Sequence, residues 1–79
     1  MTEYSAEGEK LDELKKMNNI ATDLELSEKM RIQAINGLGD MGSHESLVVL
    51  LNLAANERLH IPERELAIKR AREIIKKGK

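Results

Sequence analysis

The sequence predicts an all-α protein of four helices forming two stacked antiparallel helix pairs. Three observations lead there. Apolar residues recur at intervals of three and four along most of the chain, the period of a helix with one buried face. No residue pattern suggests a strand. The sequence also repeats itself at a shift of 33 residues, the length of a helix pair with its connectors.

The first helix is expected over Gly8–Ala21, where Leu11, Leu14, Met17, Ile20 and Ala21 share a face. Thr22–Leu26 reads as a connector, and Ser27 is a good N-cap, because its hydroxyl can accept from an otherwise unpaired N–H of the next turn. In the second helix Met30, Ala34, Leu38 and Met41 form one stripe, widened by Ile32 and Ile35. Gly42 supplies a left-handed stop and Ser43 caps the third helix, His44–Ala55. Its middle, SLVVLLNLAA, is apolar over most of its circumference. That predicts burial on several sides, with Leu47, Leu50 and Leu51 the best-buried residues. Asn56–His60 is the second connector. Ile61-Pro62 opens the fourth helix, with proline at the first position, where its missing N–H does no harm. Ala67, Ile68, Ala71, Ile74 and Ile75 are expected to face inward, and Gly78 ends the helix. Met17, Met30 and Met41 read as core fillers.

Under the 33-residue shift Leu14 falls on Leu47, Met17 on Leu50, Ile20 on Leu53 and Ala21 on Ala54. The register continues without a gap through the connector: Leu26 falls on Leu59, Ser27 on His60, Arg31 on Arg64, Ala34 on Ala67 and Ile35 on Ile68. Any two amphipathic helices align somewhere, but agreement across a connector is a stronger signal. The chain then divides into a half-unit 8–26, a full unit 27–59 and a half-unit 60–78. Gly37, Gly39 and Gly42 fall on Arg70, Arg72 and Ile75, so this helix type does not itself require glycine. They stand only where the second helix turns into a third: Gly42 permits the reversal, and Gly39 is expected to let two helix backbones approach.

The pattern Arg31-x-x-Ala34-x-x-x-Leu38-Gly39-x-x-Gly42-Ser43, followed by Leu47 and Leu50, resembles the HEAT-like repeat of the phycobilisome-lyase type. The resemblance covers one full unit, residues 28–55, with half-units on either side. It implies a minimal two-unit member, a HEAT-like α-solenoid fragment. Repeats of this kind occur in lyases, hydroxylases, chaperones and scaffolds, so the resemblance specifies an architecture rather than an activity.

Length and composition narrow the function classes. Seventy-nine residues make one domain, 1–79, with residues 1–7 expected to be flexible. A chain of this size has a marginal core. With no cysteine and Tyr4 as the only aromatic, that core must be aliphatic, and disulfides and thiolate chemistry are excluded. A reducing, cytoplasmic setting is the simplest reading. The opening MTEYSAEGEK lacks the basic and apolar regions of a signal peptide, and no apolar run approaches a membrane span. Residues 1–28 carry eight acids and three bases, net -5, whereas 63–79 carry three acids and seven bases, net +4.

Candidate chemistry is sparse. His44-Glu45 resembles the His-Glu pairs of HEAT-like hydroxylases, and His60 and Glu63 are further potential ligands. All four stand at helix starts, where an acid is explained by the helix dipole, and no metal site or cofactor is expected. The four serines (Ser5, Ser27, Ser43 and Ser46) also stand at predicted helix starts, with no nucleophile elbow or phosphate-binding loop around them. Gly37-Leu38-Gly39 has no preceding strand and is no dinucleotide fingerprint. Enzymatic activity is not expected. The candidate partner surface consists of Arg31, Arg64, Lys69, Arg70, Arg72, Lys76 and Lys77. Arg31 and Arg64 share a repeat position, and in stacked repeats such residues pair with an acid of the neighbouring unit. The expected function is a non-catalytic protein-interaction or assembly module, monomeric or weakly self-associating. The alternatives are nucleic-acid association through the basic last helix, or an accessory role beside a lyase-like enzyme.

Overall fold

The computed structural model describes residues 6–78, with side chains from Asp12 onward. It contains four helices: α1 Ala6–Thr22, α2 Glu28–Met41, α3 His44–Ala54 and α4 Ile61–Lys77. No strand occurs among the described residues. Helix α1 starts at Ala6 rather than Gly8, so two of the residues expected to be flexible are helical; residues 1–5 lie outside the described residues, as do the side chains of Glu7, Glu9 and Leu11.

Short connectors fold α1 back on α2 and α3 back on α4. Helix α1 also packs on α3, and α2 on both α3 and α4. One layer is therefore α1 and α3, the other α2 and α4. The smallest dimension, 17 Å, fits two layers of helices spaced about 8–10 Å apart.

Local chemistry explains the boundaries. Ser27 caps α2, its Oγ accepting from Met30 N at 3.2 Å. Gly42 ends that helix at φ 62°, the only positive φ among the described residues. A side chain there would be strained by its own Cβ, so glycine is what lets α3 begin two residues later. Ser43 and Ser46 close a reciprocal capping box: each hydroxyl accepts from the other's backbone N–H, at 3.1 and 3.0 Å. Pro62 occupies the second position of α4 instead of the first, still within the turn that needs no N–H. The connectors 23–26 and 56–59 carry the same hydrogen bonds. Asp23 Oδ1 accepts from Glu25 N at 2.9 Å, and Asn56 Oδ1 from Arg58 N at 3.0 Å. Leu26 N donates to Asp23 O, and Leu59 N to Asn56 O, both at 3.1 Å.

The core lies between the layers and is built from Leu14, Ala21, Ala34, Ile35, Leu38, Leu50, Leu53, Leu59, Ala67 and Ala71. Met17, Ile20 and Met41 pack against its edge. Several expectations are corrected by the two-layer arrangement. Helix α3 packs on α1, α2 and α4 but has no helix over its outer side, so Leu51 is 43% exposed and Val48 lies open as well, while Leu53 takes the buried place beside Leu50. Leu47 is half-buried. On the outer layer Met30 and Ile75 are exposed instead of inward, because nothing packs beyond α2 and α4 at those positions. Gly39 does not serve a backbone approach. A Cβ there would lie 2.8 Å from Arg70 Nη2, so the glycine makes room for a guanidinium. Gly37 similarly makes room for the Met17 thioether, 2.9 Å from where its Cβ would be.

Candidate functional site

The seven basic residues expected on one surface occupy four different environments. Arg31 is not on the surface at all. It is 4% exposed, held in the seam between α2 and α4. Its Nε and Nη2 donate to Glu63 Oε2 at 3.1 and 2.9 Å, while Nη1 donates to Leu26 O at 2.6 Å and Asp23 O at 3.3 Å. Glu63 is fully buried, and its other oxygen accepts from His60 N at 3.2 Å. One ion pair thus ties the α1–α2 connector to the first turn of α4. The residue positions explain this local geometry: Glu63 follows Pro62 at the third helical position, where a glutamate reaches back to the N-cap backbone.

Arg70 faces α2. Its Nη2 donates to Asp40 Oδ1 at 2.6 Å, its Nη1 to Asn36 Oδ1 at 3.2 Å, and Nε lies 3.2 Å from Glu73 Oε1. That last approach is an ion contact without hydrogen-bond geometry, since Nε is buried and has no hydrogen-bond acceptor. Lys77 stands at the end of α4, in a shallow recess shared with His44 and Leu47.

Arg64, Lys69 and Arg72 are the group that the fold brings together. With one acid, Glu65, they line an open cleft of about 580 Å³ along the outer face of α4, over a floor of Ala54, Ile61 and Ile68, so the bases outnumber the acid three to one. Lys69 and Arg72 also border an adjoining cleft of about 360 Å³ with Glu73, Ile75 and Lys76. Among the described residues, none of Arg64, Lys69, Arg72 and Lys76 makes an ion pair; Arg64 only donates from Nε to Ala54 O at 3.1 Å. Ile61 is 64% exposed. The face thus combines unpaired positive charge with uncovered aliphatic surface. The isoleucines are not legible as part of it in the sequence, because helical periodicity places Ile68 and Ile75 inward.

A trio of potential metal ligands also forms. Glu28, His60 and Glu63 bring ligand atoms within 4.8 Å of one another, whereas His44-Glu45 takes no part. The buried member is already committed: both Glu63 oxygens accept hydrogen bonds, one of them from a guanidinium. A cation there would sit beside the Arg31 charge and compete with it, so the trio is accounted for by the seam. His60 Nδ1 lies 3.9 Å from Glu28 Oε2 at the exposed edge of that seam.

No helix is long and apolar enough to cross a membrane among the described residues. Comparison with known proteins finds no matching family model, no matching curated protein and no matching solved structure.

Proposed function

We propose that this chain is a non-catalytic protein-interaction or assembly module of HEAT-like architecture, acting in the cytoplasm through the outer face of α4. The observation that carries the reading is the cleft where Arg64, Lys69 and Arg72 stand unpaired above exposed Ile61 and half-buried Ile68. A protein partner satisfies both parts of such a surface: its apolar residues cover the isoleucines, and its acids meet the bases. A seam stapled by the buried Arg31–Glu63 pair would hold that face rigid, so little conformational entropy is lost on binding.

The same four bases, Lys76 included, favour a second reading, contact with nucleic-acid phosphates. The apolar floor contributes nothing to phosphate binding, and the cleft has no aromatic side chain on which a base would stack. The protein reading accounts for more of the face.

The test is affinity capture from the native source, with the wild-type chain, a Lys69→Glu/Arg72→Glu variant and a Lys16→Glu control on α1. The expected result is a protein retained by the wild type and the control and lost with the cleft variant, identified by mass spectrometry. Capture indifferent to the cleft charges overturns the reading. Retention released by nuclease, with binding that weakens steeply in salt, replaces it with the nucleic-acid alternative.

A further inference from the structure

The cleft on α4 corresponds to the surface on which the second helix pair already sits. Six of its seven lining residues, Ala54, Ile61, Arg64, Ile68, Lys69 and Arg72, stand 33 positions after Ala21, Glu28, Arg31, Ile35, Asn36 and Gly39; the seventh, Glu65, falls on Ile32. In the first pair the earlier positions of those six are all engaged. Ala21 and Ile35 are fully buried, and Arg31 is paired with Glu63. Glu28 lies beside His60, and Asn36 and Gly39 receive the Arg70 guanidinium. Each of the named polar contacts comes from α4 or its cap. Its first turn presents a glutamate to Arg31, and an arginine seven residues later enters the space above Gly39.

On the second pair the equivalent positions are open. Arg64 has no carboxylate among the described residues and turns back to the carbonyl of Ala54. Four lining positions differ between the two surfaces. Ile61 replaces Glu28 and Glu65 replaces Ile32, and the other two differences specify the missing helix. Lys69 replaces Asn36, and Arg72 replaces Gly39. Where the first surface accepts an arginine in a glycine gap, the second presents two cations. A helix docking there in the same register needs an acid at that position.

We propose that the cleft binds the amino-terminal turns of a partner's α-helix carrying a glutamate at its third position and a second acid seven residues later. The first carboxylate pairs with Arg64 as Glu63 pairs with Arg31, and the second meets Lys69 and Arg72. This rests on the interaction-module reading and names the chemistry of the partner.

The probe is a synthetic peptide copy of Leu59–Lys77 in which Arg64, Lys69, Arg70 and Arg72 are replaced by Glu. It retains Glu63, Ala67, Ala71 and Ile74, the face that α4 turns inward, and loses the positive charge that the cleft repels. It is titrated into the isotope-labelled full chain in linear form and in a form held helical by an outward-facing staple. The readouts are the Arg64 side-chain Nε–H resonance and the backbone amides of Ile68 and Lys69. The expected result is a saturable shift of all three. Glu63→Gln in the peptide weakens binding about tenfold or more, and Arg64→Gln in the protein abolishes that discrimination. Arg64 is partly exposed with one hydrogen bond, so its replacement leaves the fold intact. Equal affinity of the peptides with and without the Glu63→Gln change, in both linear and stapled forms, overturns the proposal. So does the lack of any Arg64 response at millimolar stapled peptide. Arg64 shifts on concentrating the protein alone would place a second copy in the cleft and overturn it too. Peptide failure with cellular capture still dependent on Lys69 and Arg72 would remove this inference and leave the interaction-module reading standing.

Discussion

Replacing Glu63 by glutamine tests the seam directly. Glu63 is fully buried and Arg31 is 4% exposed, so neither group has water to fall back on. Glu63→Gln preserves shape and one acceptor oxygen but leaves a guanidinium buried without its counter-charge. Breaking such a pair costs about 3–5 kcal/mol, and glutamine's remaining acceptor places this variant near the lower end. A 79-residue domain has a total stability of about 4–12 kcal/mol, so the loss is a quarter of it or more. At about 4–8 °C per kcal/mol, the midpoint of thermal unfolding should fall by well over ten degrees. Urea denaturation followed by helical circular dichroism gives the free energy directly. A cycle of Arg31→Met, Glu63→Leu and the double variant isolates the coupling: the double variant should lose about 1–3 kcal/mol less than the sum of the singles. A loss below about 0.5 kcal/mol for Glu63→Gln, or strict additivity in the cycle, would refute the reasoning.

Three further outcomes are expected. Leu50→Ala should cost about 2–5 kcal/mol because Leu50 is fully buried, whereas Leu51→Ala should cost under about 1 kcal/mol; equal losses would mean that α3 presents a different face to the core. Gly42→Val forces a β-branched residue to φ 62° and should destabilise more than Gly39→Ala, whose displacement of Arg70 is offset by alanine's helix preference of about 1 kcal/mol; the reverse ranking would undo the turn assignment. Sedimentation should give a single monomeric species at both low and high salt, and association that weakens with added salt would contradict it.

The parts of the fold legible in the sequence are those fixed by local chemistry. Ser27, Gly42 and Ser43 mark helix ends because a hydroxyl accepting an N–H, or a backbone at positive φ, depends on its immediate neighbours alone. Helix periodicity locates Leu14 and Ala21 on α1 and Ala34, Ile35 and Leu38 on α2, but it turns Met30 inward where the structure leaves it exposed. It overstates α3, because an apolar circumference shows how many neighbours a helix could have and not how many it has. Leu51 and Val48 are exposed for want of a third layer. The surface is legible only in part. Lys69, Arg72 and Lys76 converge because residues three and four apart share one side of a helix, and Arg64 joins them two turns before Arg72. Arg31 lies on a different helix, and its burial depends on a glutamate 32 residues away, a pairing that no local pattern specifies. The role of Gly39 escapes sequence reasoning for a related cause: what fills its gap is the tip of a side chain from α4.

Among the described residues, the two open sides of the molecule are not complementary, although the net charges of the two ends suggest that they should be. The contacts that α4 makes to α2 depend on Glu63 and Arg70. Thirty-three positions earlier, where the outer side of the first pair would have to offer the same groups, stand Met30 and Gly37. Met30 is an exposed thioether with no charge to give Arg64, and the gap at Gly37 is already filled by Met17. A second copy stacking head to tail would therefore set Arg64, Lys69 and Arg72 against methionine and glycine. The guanidinium would be stripped of water with no carboxylate in return, at a cost of several kcal/mol. Lys76 and Lys77, in the last turn of α4, already have a role in compensating its helix dipole, which requires no second molecule. A seam that runs on an ion pair in the interior and ends in an unpaired arginine at one edge only is directional. On this reading the open edge excludes copies of the same chain and reserves the cleft for a helix that supplies the missing glutamate.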